Sequence, residues 1–197
     1  MRRFDIINSF IHKNGYKSYL EIGVSNGLNF NKIKIQSKQS VDPALGMYKN
    51  SHPTYKMTSD EFFEKHPDKK FDIIFIDGLH HSEQVDKDID NSLKSLNDGG
   101  VIVLHDCNPT TKEIQLIPRE TSTWLGDVWK SFVTFKENNK SNYQCYVVDT
   151  DFGCGVIQNG KTDISINLPD ELTYEWLDKN RKEALNLISI EEFKSML

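Results

Sequence analysis

The chain has 197 residues, 37% apolar and 27% charged, long enough for one well-buried domain and short for two, and its composition excludes a disordered or collagen-like chain. A net charge of −5, with lysines scattered among acids, leaves no electrostatic footprint for nucleic acid. The N-terminal "MRRFDIINSFIHKNG" is interrupted by Asp5, Asn8 and His12, unlike a secretion signal, and no segment approaches the apolar run of about 20 residues that spans a membrane. A cytoplasmic protein acting on a small molecule, without nucleic-acid or membrane partners, is therefore expected. Cys107, Cys145 and Cys154 have neither disulfide-framework nor zinc-knuckle spacing and read as free thiols.

In chain order, Phe4, Ile7, Phe10 and Ile11 recur at helical spacing and Gly15 closes the pattern, predicting a helix over 2–14. "KSYLEIGV" reads as a first strand, Asn26 to Ile35 as a helix beginning near the glycines, and "SVDPA" as a short strand stopped by Pro43. "FDIIFIDG" (71–78) is an apolar run suited to a strand buried on both faces, and "GGVIVLHDCNP" (99–109), after a turn at 98–100, is its companion. Between them Val85, Ile89, Leu93 and Leu96 mark a helix face, and strand, helix and strand make a crossover unit. Residues 110–125 read as a loop or lid, and Asp127 as the cap of a helix carrying Val128, Trp129, Phe132 and Val133.

"YQCYVVDTDFGCGVIQ" (143–158) predicts two strands joined by a tight turn, with antiparallel pairing at one edge. The tail from Tyr174 to Phe193 reads as helical. No repeat or linker divides the chain. The expectation is one α/β domain over 1–197, with an N-terminal helix in 1–15 and C-terminal helices in 170–197. Its architecture is Rossmann-like and doubly wound, a mostly parallel sheet with an antiparallel edge strand and helices on both faces.

In open parallel sheets ligands bind beyond the carboxyl ends of the strands. The chemically suggestive residues fall at those ends: Glu21 to Gly27, Asp42, Asp77 to His81, and His105 to Asn108. Gly23 and Gly27 allow a sharp turn with backbone close to a ligand. Ser25 stands where a dinucleotide fingerprint has its middle glycine, which argues against NAD. Asp42 lies about twenty residues beyond Glu21, where an acid can accept both ribose hydroxyls; alternatively it only opens an Asp-Pro turn. His80 and His81 sit beside an acid at a strand end, in place to take a proton. His12, His52 and His66 lack such context and read as surface residues.

"EIGVSNG" (21–27) resembles the first motif of class I S-adenosylmethionine-dependent methyltransferases, and Asp42 matches their ribose-binding acid. "FDIIFIDGLHHSEQVDKDIDNSLKSLNDGGVIVLHDCNP" is similar to the small-molecule O-methyltransferase-like group in which Asp-Gly-x-His is followed, after the next strand, by His-Asp or Asp-Asp. "GDVWK" and "VDTDFGCGVI" look like later blocks of that group, so the resemblance runs from about Lys17 to Ile157. It implies a cofactor site of Glu21, Gly23, Ser25, Gly27, Asp42 and Asp77, with Ser59 and Asp60 at the adenine. "SDEFF" is equally a helix start with Ser59 as cap.

The resemblance further implies a catalytic group of His80, His81 and Asp77, with His80 preferred as base. Some members of the group bind magnesium, which would place a divalent metal on Asp77, His105 and Asp106, with His80 nearby; Cys107 stands where catechol-type members carry an asparagine ligand. Trp129 and Lys130 border the substrate pocket or belong to an amphipathic helix. The implied activity is methyl transfer from S-adenosylmethionine to a hydroxyl of a small molecule such as a sugar or glycan precursor, with amine and carboxylate acceptors open. The rivals are a nicotinamide-dependent oxidoreductase and a non-catalytic cofactor-binding interaction protein. Tyr174, Trp176 and Phe193 could cover the domain's own sheet or a second subunit, a homodimer being the commonest association.

Overall fold

The computed structural model describes residues 1–44 and 52–197. Helix α1 (Arg3–Asn14) ends at Gly15, whose φ of 65° is the left-handed stop expected of a C-terminal glycine. Then follow β1 (Ser18–Ile22), β2 (Ser37–Val41), α2 (Ser59–Lys65), β3 (Phe71–Ile76), α3 (Ser82–Lys94), β4 (Leu96–Leu104), α4 (Val128–Asn139), β5 (Tyr143–Val148), β6 (Cys154–Asn159), α5 (Tyr174–Leu185), β7 (Leu187–Ile188) and α6 (Ile190–Ser195). They form one seven-stranded sheet ordered β2-β1-β3-β4-β6-β5-β7. The pairs β2-β1, β1-β3, β3-β4 and β5-β7 are parallel, whereas β6 runs against both β4 and β5. The Rossmann-like class is as expected, with one refinement: the reversed strand, β6, lies inside the sheet, because β5 inserts outside it and β7 adds beyond β5.

Alternation along the strands builds a core on each face. Ile73 and Phe75 of β3 join Val101 and Val103 of β4, Ile6, Ile7 and Phe10 of α1, and Phe193 of α6. Ile74 and Ile76 join Ile102 and Leu104, Val85 and Ile89 of α3, and Trp129 and Phe132 of α4. The tail therefore covers the domain's own sheet: Phe193 is fully buried, edge-on to Phe10, and Trp176 packs against the opposite core.

Several expectations need correction. Asn26 to Ile35 holds only a 3-10 turn at Phe30–Lys32. Its polar side chains compete with the backbone: Asn26 accepts from the Leu28 N–H, Asn29 is drawn to Glu21, and Gly27 stands at φ 76°. The strand sought in "SVDPA" is Ser37–Val41, whose polar start reflects a margin position. Leu96 belongs to β4, and the turn expected at 98–100 is an irregularity within that strand, with Gly99 at φ 75°. His66 is half-buried against Tyr55 and Phe62. Cys107, Cys145 and Cys154 are free and buried. No described helix is long and apolar enough to cross a membrane.

Candidate active site

The carboxyl ends of β1, β2, β3 and β4 meet on one rim, and the glycine loop after β1 is packed directly on β3. Gly23, at φ 84°, has no room for a side chain: a Cβ there would lie 2.1 Å from the Asp77 carbonyl oxygen. Asp42 ties β2 to the same loop. One carboxylate oxygen accepts from the Ser25 N–H at 2.9 Å and the other from the Ala44 N–H at 2.6 Å. Ser25 itself is left-handed at φ 47°, an unusual conformation for a side-chain-bearing residue that this bond helps hold. The turn expected at Asp42 is present in the Ala44 contact, and the same carboxylate lies against the glycine loop.

Beneath the loop, Glu21 is buried. It accepts from the Tyr19 hydroxyl and from Asn29 Nδ2 at 2.9 Å, and the Asn29 Oδ1 atom is buried without a partner. Burial is the main influence on Glu21 and pushes its carboxyl up to about 7. A carboxylic acid raised above its ordinary value contributes stability below pH about 4.5 that is lost as pH rises through about 7. Glu21→Gln can keep both hydrogen bonds without the charge. It is expected to match the parent in thermal unfolding near pH 4.5 and to exceed it by about 3 kcal/mol at pH 8, a pH-independent difference being the contrary result.

Asp77, His80 and Asp106 converge so that one donor atom from each lies within 4.8 Å of the others. His80 Nε2 is 3.4 Å from Asp77 Oδ1, while Nδ1 is 3.2 Å from Asp106 Oδ2 but out of line, so Nδ1 is buried without a hydrogen bond. Asp106 adopts φ 61°, strained for a non-glycine residue, and this turn brings its carboxylate to both histidines. Burial opposes a charge on His80, but Asp77 and Asp106 outweigh it and hold the ring above its ordinary value. Burial also pushes Asp77 up, and His105 and His80 outweigh that, leaving it well below the usual carboxylate range.

His105, placed in the metal set by resemblance, lies next to this group with a different environment. Its Nδ1 is 2.8 Å from Asp106 Oδ1 and 3.4 Å from Asp77 Oδ1, and its Nε2 is 2.6 Å from an Arg3 guanidinium nitrogen. Burial disfavours its charge and the two acids favour it more, drawing the ring upward. Arg3 argues the other way: a guanidinium only donates, so Nε2 must keep its lone pair. The same guanidinium nitrogen is 3.2 Å from Nδ1, and Asp151 Oδ2 is 3.8 Å from Nε2, so both ring nitrogens are engaged by neighbours from α1, the strand ends and the β5–β6 turn. The Arg3 backbone N–H also binds Asp151, so helix α1 and the β5–β6 turn brace this ring from outside the strand ends.

His81 stands apart from the cluster, preceding α3 with its ring edge-on to Trp124. Ser59 and Asp60 begin α2, where Thr58 and not Ser59 is the cap, and both bond Gln84 Nε2 of α3. Trp129 is fully buried core, while Lys130 lines a cavity together with His81, Ser82 and Glu83. Asp127 precedes α4 without capping it; its carboxylate accepts from the Ser82 N–H at 2.7 Å and hydroxyl at 3.0 Å, and so caps α3 instead.

Two residues not singled out from the sequence as site residues complete the site. Trp124 stacks on His80 with ring centres 5.4 Å apart and planes 18° from parallel. Gly126, at φ 61°, lies so close that a Cβ would fall 1.7 Å from the His80 carbonyl oxygen. Gly126→Ala is expected to displace His80 and lower turnover by at least about tenfold, because the clash is with backbone; near-parental kinetics would contradict this contact.

Residues 36–107 match a family model described as a methyltransferase domain. Over that segment, from β2 to just past β4, the chain is similar to a methyltransferase domain. No curated protein matches it in sequence. Among solved structures, the Bacillus cereus O-methyltransferase in complex with SAH is 10% identical, covering 80% of each chain at a TM-score of 0.53. The Streptomyces achromogenes O-methyltransferase TomG, involved in tomaymycin synthesis and in complex with SAM, is 13% identical, covering 80% of this chain and 79% of its own at 0.55. The mycinamycin-pathway methyltransferase MycE, in complex with Mg, SAH and mycinamycin VI, is 14% identical, covering 90% of this chain and 53% of its own at 0.50. These likenesses show that the chain has the Rossmann-like fold of those methyltransferases.

Proposed function

We propose that this protein moves a methyl group from S-adenosylmethionine to a hydroxyl of a small molecule, a sugar or glycan precursor. The observation that carries the reading is the convergence of Asp77, His80 and Asp106 beside the Gly23 loop. The residues present fit the cofactor. Buried Glu21 lacks a full cationic partner and Asn29 Oδ1 lacks a donor, and an amino-acid ammonium would supply both. Gly23, Ser25 and Gly27 would line its methionine end, Asp42 would accept from the ribose, and Ser59 and Asp60 would face the adenine. When bound, the sulfonium supplies an electrophilic methyl group.

His80 is the base: with Nε2 toward Asp77 and Nδ1 toward Asp106, its ring is held by acids that stabilise the imidazolium formed when it takes the acceptor's proton. His105 donates from Nδ1 to Asp106 and keeps that carboxylate aimed at His80. Trp124 stacks on the His80 ring and covers one of its faces.

A second reading is favoured by the same close group. Two carboxylates and one imidazole fit a divalent cation, the imidazole suiting manganese, iron or zinc more than magnesium. Asp77, His80 and Asp106 would hold the ion, whose chemistry would be to acidify a bound hydroxyl. Incubation with methyl-labelled S-adenosylmethionine and hydroxylated acceptors, with and without chelator, tests both. Label transferred to an acceptor oxygen and lost in Asp106→Asn supports the reading, and loss on chelation assigns the metal. Label transferred only to amines would overturn it.

A further inference from the structure

A cavity of about 420 Å³ opens beside the His80–Trp124 pair, between the starts of α3 and α4 and the segment before Trp124. Gln115 and Lys130 line it with Ser82 and Glu83, while Leu116 and Ile117 supply its apolar wall. Gln115 is only 8% exposed, and its orientation is determined by its neighbour. The fully buried Trp129 indole N–H donates to Gln115 Oε1 at 3.2 Å. An indole nitrogen is a donor and nothing else, so the amide oxygen must face it and the NH2 must face away. Among the described residues no acceptor binds that NH2. The cavity thus holds a preoriented neutral donor on a nearly buried side chain.

Around this donor stand groups of both signs. Lys130 Nζ is 3.6 Å from Asp127 Oδ2 with about a third of its side chain exposed, and Glu83 offers an exposed carboxylate. Asp127 is already engaged by Ser82, which leaves Lys130 and Glu83 as the adjustable partners. A fixed amide donor, a cation and a carboxylate around one small space match a moiety that both donates and accepts at neighbouring oxygens. An acceptor with an apolar distal part would leave these groups unpaired, at a cost in affinity, whereas a saccharide places hydroxyls out of one plane to meet all three.

We propose that this cavity is the distal acceptor subsite and reads a polyhydroxylated group, a saccharide, with Gln115 as the residue that determines specificity. The inference rests on the methyltransferase reading above. The saccharide's reactive hydroxyl lies toward His80 while its other hydroxyls meet Gln115, Lys130 and Glu83. Trp129, a core residue without access to the ligand, acts here only by orienting Gln115.

The test is saturation-transfer NMR with a panel of methyl glycosides, with catechol and caffeate as planar controls, on protein holding S-adenosylhomocysteine. Gln115→Met, Gln115→Glu and Lys130→Met are compared with the parent. The expected result is saturation of at least one methyl glycoside, weakened at least about tenfold in both Gln115 variants and in Lys130→Met, with S-adenosylhomocysteine affinity within about twofold of the parent. That retained affinity also certifies folding. Binding of the planar controls alone, binding of no glycoside, or glycoside binding indifferent to Gln115 would each overturn the saccharide subsite and leave the cofactor reading standing. Failure of the parent to bind S-adenosylhomocysteine would instead sink the reading beneath it.

Discussion

His80→Gln is expected to reduce methyl transfer by about a hundred- to ten-thousand-fold, the range over which a positioned general base acts. Glutamine keeps much of the shape and polarity of the ring and cannot take a proton at neutral pH. The loss should fall on kcat, because His80 does not hold the distal part of the acceptor. Binding of S-adenosylhomocysteine should be unchanged, since the glycine loop and Asp42 are built on other strands. The two readings of the acid cluster separate here. If His80 serves as base, divalent-ion affinity survives the substitution; if it is a ligand, affinity and turnover fall together. Parental turnover in His80→Gln would remove this residue from the chemistry.

Gly23→Ala is expected to be the most damaging small substitution on the rim. The new methyl carbon would lie 2.1 Å from the Asp77 carbonyl oxygen and 2.5 Å from its carbon, so a backbone segment would have to move, and φ of 84° is itself unfavourable for alanine. The two effects together should destabilise the fold by about 3 kcal/mol or more, a fall in Tm of roughly 10 °C for a chain of this size. Whatever folds should bind cofactor poorly, because the same displacement separates the loop from the end of β3. Gly27→Ala is the informative comparison: its φ of 76° strains alanine too, but the nearest atom to a Cβ is an Asn31 side-chain nitrogen at 3.4 Å. Its stability loss should be smaller, about 1 kcal/mol. Equal losses at the two positions, measured by thermal unfolding, would show that conformation and not contact with β3 is what demands glycine.

The central strands were legible because they are buried on both faces. "IIFI" and "VIVL" leave no polar residue to blur the pattern, and their ends carried Asp77 and Asp106 to one rim. Margin strands were harder: β2 begins with the polar "SKQS", and two-residue β7 is too short for a periodic signal. The false helix over Asn26 to Ile35 came from apolar spacing alone, where asparagine side chains satisfy the turn's own backbone and that of its neighbours.

The residues around the cluster could not be read locally at all. Arg3 meets His105 across 102 positions, and Asp127 meets Ser82 across 45. A capping acid looks the same in sequence whether it serves its own helix or another's. Gln115 and Trp124 fall in a segment whose irregular backbone has no period from which side-chain direction could be inferred.

Calorimetric titration of S-adenosylhomocysteine into the purified protein, beside Asp42→Ala, tests the central claim most directly. The account predicts a single site on the parent with affinity weakened at least about tenfold in the variant, which loses both the ribose acceptor and the tie to Ser25. Absence of binding to the parent, with NADH bound in its place, would contradict the assignment of this rim to S-adenosylmethionine.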